Sequence, residues 1–190
     1  LALPFWGGAI AVAFYSLRWP ASPVDALRWR LPGWRTLLLP GGLFLLALLP
    51  RVVALAEHPF MLNGVEASLG LDALAVADGR IGNPFATGWL TNPILPLFLQ
   101  AIPLKLLGPG VVAARLLSAL FGAATAPLLY FVGRRLWSEA VGLTAALLLA
   151  GSHWHLHYSR LGMTNVWEPF FLLLALGLLA IARQTGTRSA

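Results

Sequence analysis

The sequence predicts an all-α fold: a polytopic transmembrane helical protein of about five spans, with amphipathic or interfacial helices in a long first external loop. Three observations predict it. Hydrophobic residues make up 58% of the chain and charged residues 11%, against about 45–50% and about 25% in soluble domains. Mean hydropathy is +0.77. The apolar residues are gathered in blocks near the ~20 residues that a bilayer core requires, and arginines fall between the blocks at alternate crossings, as topology signals do. Together these exclude a soluble globular domain.

In chain order, the first block spans 1–17. It opens on Leu1 with no basic leader and reads as a truncated span, because Ser16-Leu17-Arg18-Trp19-Pro20 offers no cleavage site for a secretory signal. Further spans are predicted over 36–56, 111–132, 140–154 and 166–182. The segment 94–107 is too short to cross, contains Pro96 and Pro103 and ends near Lys105, which suits an interfacial or re-entrant helix. The resulting organisation is a truncated first span and cytoplasmic loop (1–35), a transmembrane domain (36–182) with an external loop (57–110), and a polar cytoplasmic tail (183–190).

The formal charge is +6, but its distribution argues against nucleic acid, because no basic face forms. Arg18, Arg28, Arg30 and Arg35 oppose only Asp25, Arg134 and Arg135 share a short turn, and Arg183 and Arg188 follow the last block. The positive-inside rule makes all three segments cytoplasmic. It leaves 57–110 outside, with Glu57, Glu66, Asp72 and Asp78 against Arg80 and Lys105, provided that 94–107 does not cross. The chain has no cysteine, so it carries no disulfide framework or thiolate metal site.

Several polar residues stand out against this background. Arg51 lies near the outer end of a span, where it either snorkels to the surface or faces a polar cavity and pairs with an acid or a phosphate. Asn63 and Glu66 have capping-box spacing ahead of a helix over 67–77 that stops at Asp78-Gly79. Glu66 is alternatively a general base for an acceptor hydroxyl or amine. The turn-rich stretch 80–93 ends in Asn92-Pro93, an N-cap and first-turn pair for the surface helix, while Phe85 and Trp89 read as interfacial anchors. His153, His155 and His157 alternate; in a helix only His153 and His157 share a face, and without a nearby acid interfacial hydrogen bonding outweighs a metal site. Arg160 breaks the charge bias of an outer loop, and its guanidinium fork matches a phosphate.

The ordered set of Arg51, Asn63-Gly64-Val65-Glu66-Ala67, the Pro-rich helix, Val112-Ala113-Ala114-Arg115-Leu116-Leu117-Ser118-Ala119-Leu120-Phe121-Gly122, Gly133-Arg134-Arg135-Leu136-Trp137 and His157-Tyr158-Ser159-Arg160 resembles the protein-mannosyltransferase-like membrane glycosyltransferases of the GT-C superfamily, which include the aminoarabinose transferases. The similarity covers about 36–182. The resemblance implies a plasma-membrane, multi-pass enzyme that takes sugar from a polyprenyl-phosphate donor and transfers it, with inversion, on the non-cytoplasmic face. The candidate catalytic residue is Glu66, which takes the base's role if the protein transfers sugar, and the candidate substrate-binding set is Arg51, Asn63, Asn92, His155, His157 and Arg160, with the resemblance putting Arg160 on the lipid phosphate. The sequence defines no metal ligands, and the resemblance brings at most a divalent cation, Mg or Mn, as cofactor. Membrane lipids are the other implied partners, the acceptor stays open, and the relatives' greater length implies that the chain is a fragment. Two departures stand out. Val65 occupies the place of the Asp in the relatives' Asp-Glu pair, and Asn92-Pro93 falls where many carry a His-Pro-Pro-like stretch. Val65 favours the alternative of a non-catalytic lipid-phosphate binder or scaffold; a transporter would require inverted repeats, and none is evident.

Overall fold

A computed structural model describes residues 34–186. The expected first span, most of the loop after it, and the end of the tail fall outside the described residues. Seven α-helices follow in order: α1 (Trp34–Val52), α2 (Gly64–Ala77), α3 (Leu95–Leu107), α4 (Val111–Leu136), α5 (Glu139–Gly151), α6 (His153–Ser159) and α7 (Glu168–Gly186). Single 3-10 turns precede α3 (Trp89–Thr91) and α7 (Thr164–Trp167). No strand occurs among the described residues, only an isolated bridge between Thr87 and Pro93. The protein is an all-α membrane protein.

Helix α4 is the axis of the structure, and α1, α3, α5, α6 and α7 all pack on it. Its 26 residues reach about 39 Å at 1.5 Å per residue, enough to cross a bilayer. Thr164–Ile181 is the second stretch long and apolar enough to do so. The apolar parts of α1 (Leu37–Val52) and α5 (Glu139–Gly151) are shorter. In particular, the expected span over 140–154 is interrupted at Ser152, which separates α5 from α6. Helix α7 runs on through Gly186, past the predicted end of its block.

Small residues let these helices approach closely, which is how helices associate where the hydrophobic effect gives little drive. A Cβ added to Gly142 of α5 would lie 2.6 Å from the Tyr130 carbonyl oxygen, and one on Gly133 would lie 2.8 Å from Gly142 Cα. Ala47, Ala123, Ala126 and Ala150 form a buried cluster between α1, α4 and α5, with Phe44 and Leu48 against it. The α4–α5 turn is fixed by Ser138, whose hydroxyl caps α5 by accepting from the Val141 N–H.

Helices α2 and α3 have a core of their own. Leu69, Ala73 and Val76 of α2 meet Ile94, Leu97, Ala101 and Leu104 on and before α3, and Ala113 of α4 closes the cluster. Helix α2 begins where the sequence predicts: Asn63 Oδ1 accepts from the Glu66 N–H at 2.8 Å, and the helix stops at Asp78, followed by Gly79 at φ 75°. Only half of the capping box forms, because the Glu66 side chain turns away from Asn63. Helix α3 corrects the predicted cap. Asn92 is not its N-cap; its amide turns back to the Trp89 carbonyl at 2.8 Å, and the helix starts at Leu95 with Ile94 in the cap position. The bridge at Pro93 and the bond from Gly88 N–H to the Asn92 carbonyl keep Asn92 in the loop.

Candidate functional site: an arginine cluster at the end of α1

Past Val52 the chain turns through residues 53–59, with Ala54 at φ 51°. A helix end leaves carbonyls without helical partners. Guanidiniums from three parts of the chain supply donors here. Arg160, immediately after α6, donates Nη1 to Pro50, Nη2 to Val53 (2.8 Å), Ala54 (3.0 Å) and His58 (2.9 Å), and Nε to His58 (3.1 Å). Arg115 of α4 donates Nη1 to the Leu55 and Pro59 carbonyls at 2.9 and 3.1 Å. Arg51 donates to Ala47 O in its own helix at 2.6 Å and to Ala150 O, at the end of α5, at 3.4 Å. Cations at helix C-termini also face the negative end of the macrodipole, so Arg51 and Arg160 sit on favourable ground.

Arg115 does not. It lies in the second turn of α4, near the positive end of that helix, and is 1% exposed. Glu66 compensates for this. Arg115 Nε and Nη2 donate to Glu66 Oε1 and Oε2 at 2.6 and 3.1 Å, a forked pair, and Glu66 Oε1 also accepts the Gly162 N–H at 2.8 Å. Glu66 is itself 1% exposed. A general base needs an open lone pair within reach of the acceptor. This carboxylate has both oxygens engaged, and it works as a strut between the start of α2, α4 and the turn after α6. Gln100 of α3 reinforces the same joint by donating Nε2 to Ala114 O and Gly162 O at 2.8 and 3.1 Å. Gly162 allows the approach, since a Cβ there would meet the Ala114 carbonyl at 3.1 Å.

The three histidines divide as helical geometry requires. His153 and His157 share the outer face of α6, their rings stacked at 6.2 Å, beside Trp154 and Tyr158, whose rings lie 5.0 Å apart. His155 points inward. Its Nδ1 lies 3.0 Å from Arg51 Nη2. Arginine can only donate, so Nδ1 is the acceptor and the proton of the neutral ring belongs on Nε2. Burial, followed by the Arg51 charge, pushes the imidazole down to about 4. Nε2 of His155 and Nε of Arg51 are both buried and have no partner among the described residues. Gly122 of α4 makes room for the packing at this point, because a Cβ on it would overlap the Ser159 side chain.

The expected site residues therefore separate. Arg51 and His155 form one pair; Glu66 belongs to the strut; Asn63 caps α2; Asn92 closes a loop; His157 is exposed; and Arg160 has all three nitrogens on carbonyls. The sequence reading assigned no role to Arg115, although a lone charge inside an apolar helix is itself a signal of an interior partner. Gln100 and the pair of Ser118 and Trp167, whose indole donates to the Ser118 hydroxyl at 3.1 Å, carried no such signal. No three His, Asp or Glu side chains converge among the described residues, so these residues offer no donor set that fits Mg or Mn.

The family of dolichyl-phosphate-mannose-protein mannosyltransferases, through its sequence model, matches residues 91–189, just over half of the chain. That segment contains Asn92, Arg115, His155, His157 and Arg160, but neither Arg51 nor Glu66. No curated protein and no solved structure matches the chain. The chain belongs to the dolichyl-phosphate-mannose-protein mannosyltransferase family, the membrane glycosyltransferases of GT-C type.

Proposed function

We propose that the protein transfers a sugar, with inversion, from a polyprenyl-phosphate donor to an acceptor on the non-cytoplasmic face of the plasma membrane, where it is a multi-pass protein of the cell envelope. The observation that carries this reading is Arg51: a guanidinium with no exposed surface, no carboxylate partner among the described residues, and a free buried N–H beside His155. A buried charge without a counter-charge is costly, and a phosphate oxygen is an acceptor matched to it. In the reaction the acceptor oxygen or nitrogen attacks the anomeric carbon from the face opposite the lipid. The bond from that carbon to the phosphate oxygen breaks, and its electron pair leaves with the phosphate. Arg51 stabilises the charge that develops there, which is commonly the largest single contribution to such catalysis. His155 holds Arg51 in place, and Arg160 and Arg115 fix the adjoining turn. The family's name makes mannose the sugar, and protein the acceptor, to try first.

A second reading is favoured by Val65, an apolar residue beside Glu66 on the first turn of α2: a lipid-phosphate binder that does not turn over. Protein in nanodiscs, given polyprenyl-phosphate mannose labelled in the sugar together with envelope protein, separates the two. Transfer of label, lost in Arg51→Met, supports the enzyme. Retention of the lipid with its sugar intact supports the binder.

A further inference from the structure

Glu66 is locked into the strut, so another group must take the acceptor's proton if the protein transfers sugar. Four other acids are described on the external loop or at the outer end of α7. Asp78 is paired with Arg80 at 3.2 Å. Asp72 is tied to the loop, accepting the Trp89 N–H at 3.0 Å. Glu168 is exposed on the first turn of α7, where the helix macrodipole already accounts for a negative charge. Glu57 remains. It is exposed, and its carboxylate makes no hydrogen bond or ion pair among the described residues. The backbone beneath it is held on both sides: its own N–H donates to Ala54 O at 3.1 Å, Arg160 grips the next carbonyl, His58, and Arg115 grips Leu55 and Pro59. Glu57 is thus a free carboxylate on a fixed turn, six residues past Arg51 at the end of α1, and an open carboxylate is one of the things a general base needs.

We infer that Glu57 is the general base of the transfer, an inference that rests on the function proposed above. As the acceptor's oxygen or nitrogen bonds to the anomeric carbon, its proton passes to a Glu57 oxygen, and the electron pair of the broken carbon–oxygen bond leaves on the lipid phosphate. No other reactant is needed.

The test is steady-state transfer from polyprenyl-phosphate mannose by the full chain in nanodiscs, scaled to folded protein, for wild type, Glu57→Gln, Glu57→Asp and Glu168→Gln. The expected result is a kcat lower by at least tenfold, towards the 10²–10⁴-fold typical of a lost base, in Glu57→Gln. Donor KM and melting temperature stay unchanged, Glu57→Asp recovers part of the rate, and Glu168→Gln keeps all of it. A loss below tenfold in Glu57→Gln, a change confined to KM, or the loss appearing in Glu168→Gln instead overturns the assignment and leaves the transfer reading standing. A wild type that binds the lipid but transfers nothing overturns both.

Discussion

Replacing Glu66 by Gln removes one charge from a pair that is sealed on both sides. The Arg115 and Glu66 side chains are 1% and 0% exposed, so no water can take the place of the lost partner. Breaking a buried pair from one side costs about 3–5 kcal/mol, because the remaining charge is left uncompensated. For a chain of this size that corresponds to a fall in melting temperature of roughly 10 °C. Arg115→Gln strands the carboxylate instead and costs a similar amount. Glu66→Gln/Arg115→Gln strands neither, so its loss is smaller than the sum of the single losses, with a coupling of about 1–3 kcal/mol. Thermal unfolding in detergent, followed by tryptophan fluorescence, measures all four proteins. A Glu66→Gln protein melting within about 2 °C of wild type, equivalent to less than ~1 kcal/mol, would refute the strut.

Three further outcomes follow from the same structure. Gly122→Val drives a side chain into Ser159 and lowers stability by about 1–3 kcal/mol, read as a lower melting temperature. The His155 imidazole is held at about 4, against 6.5 when unfolded, by burial and then by Arg51. The fold thus binds the neutral ring, and its contribution is complete above pH 6.5 and is lost as the pH falls from 6.5 towards 4. The slope cannot exceed about 1.4 kcal/mol per pH unit, because a single proton is taken up. His155→Gln, which can still accept from Arg51, flattens that part of the curve of melting temperature against pH. Because the chain has no cysteine, a single one reports sidedness. Phe85→Cys, at a position 87% exposed, is labelled on intact cells by an impermeant maleimide, whereas Trp137→Cys in the α4–α5 turn is labelled only after permeabilisation; the reverse pattern contradicts the proposed topology.

Much of the helical framework was legible in the sequence because apolar blocks and helix caps are local signals. Asn63, Asp78 and Gly79 bound α2 through contacts within a few residues, and α4 announced itself by length and composition. Ser152 was not legible as a break, since Ala140 to Trp154 reads as one apolar block, and nothing local marks the extended backbone that Ser152 adopts between α5 and α6. Asn92-Pro93 misled for a related reason: its dipeptide chemistry suits a helix start, but bonds to Gly88 and Trp89 hold it in the loop. The site was legible as residue types and not as partnerships. Arg51, Glu66 and Arg160 stood out as charges in an apolar chain, but whether each faces ligand or protein depends on Arg115, Gly162 and the carbonyls of 50–59, many residues away in sequence. A guanidinium that could hold phosphate is, for Arg160, already satisfied by backbone.

The most direct test of the account asks whether Glu66 supports the site structurally or performs the chemistry itself. Glu66→Gln in nanodiscs, scaled to folded, lipid-binding protein, would be assayed for sugar transfer from polyprenyl-phosphate mannose. The account predicts transfer at a rate within a few-fold of wild type, since Arg115 keeps its bonds to the Leu55 and Pro59 carbonyls and Glu66 contributes no proton transfer. A folded Glu66→Gln protein that retains the donor but has lost transfer by the 10²–10⁴-fold expected of a missing base would contradict it.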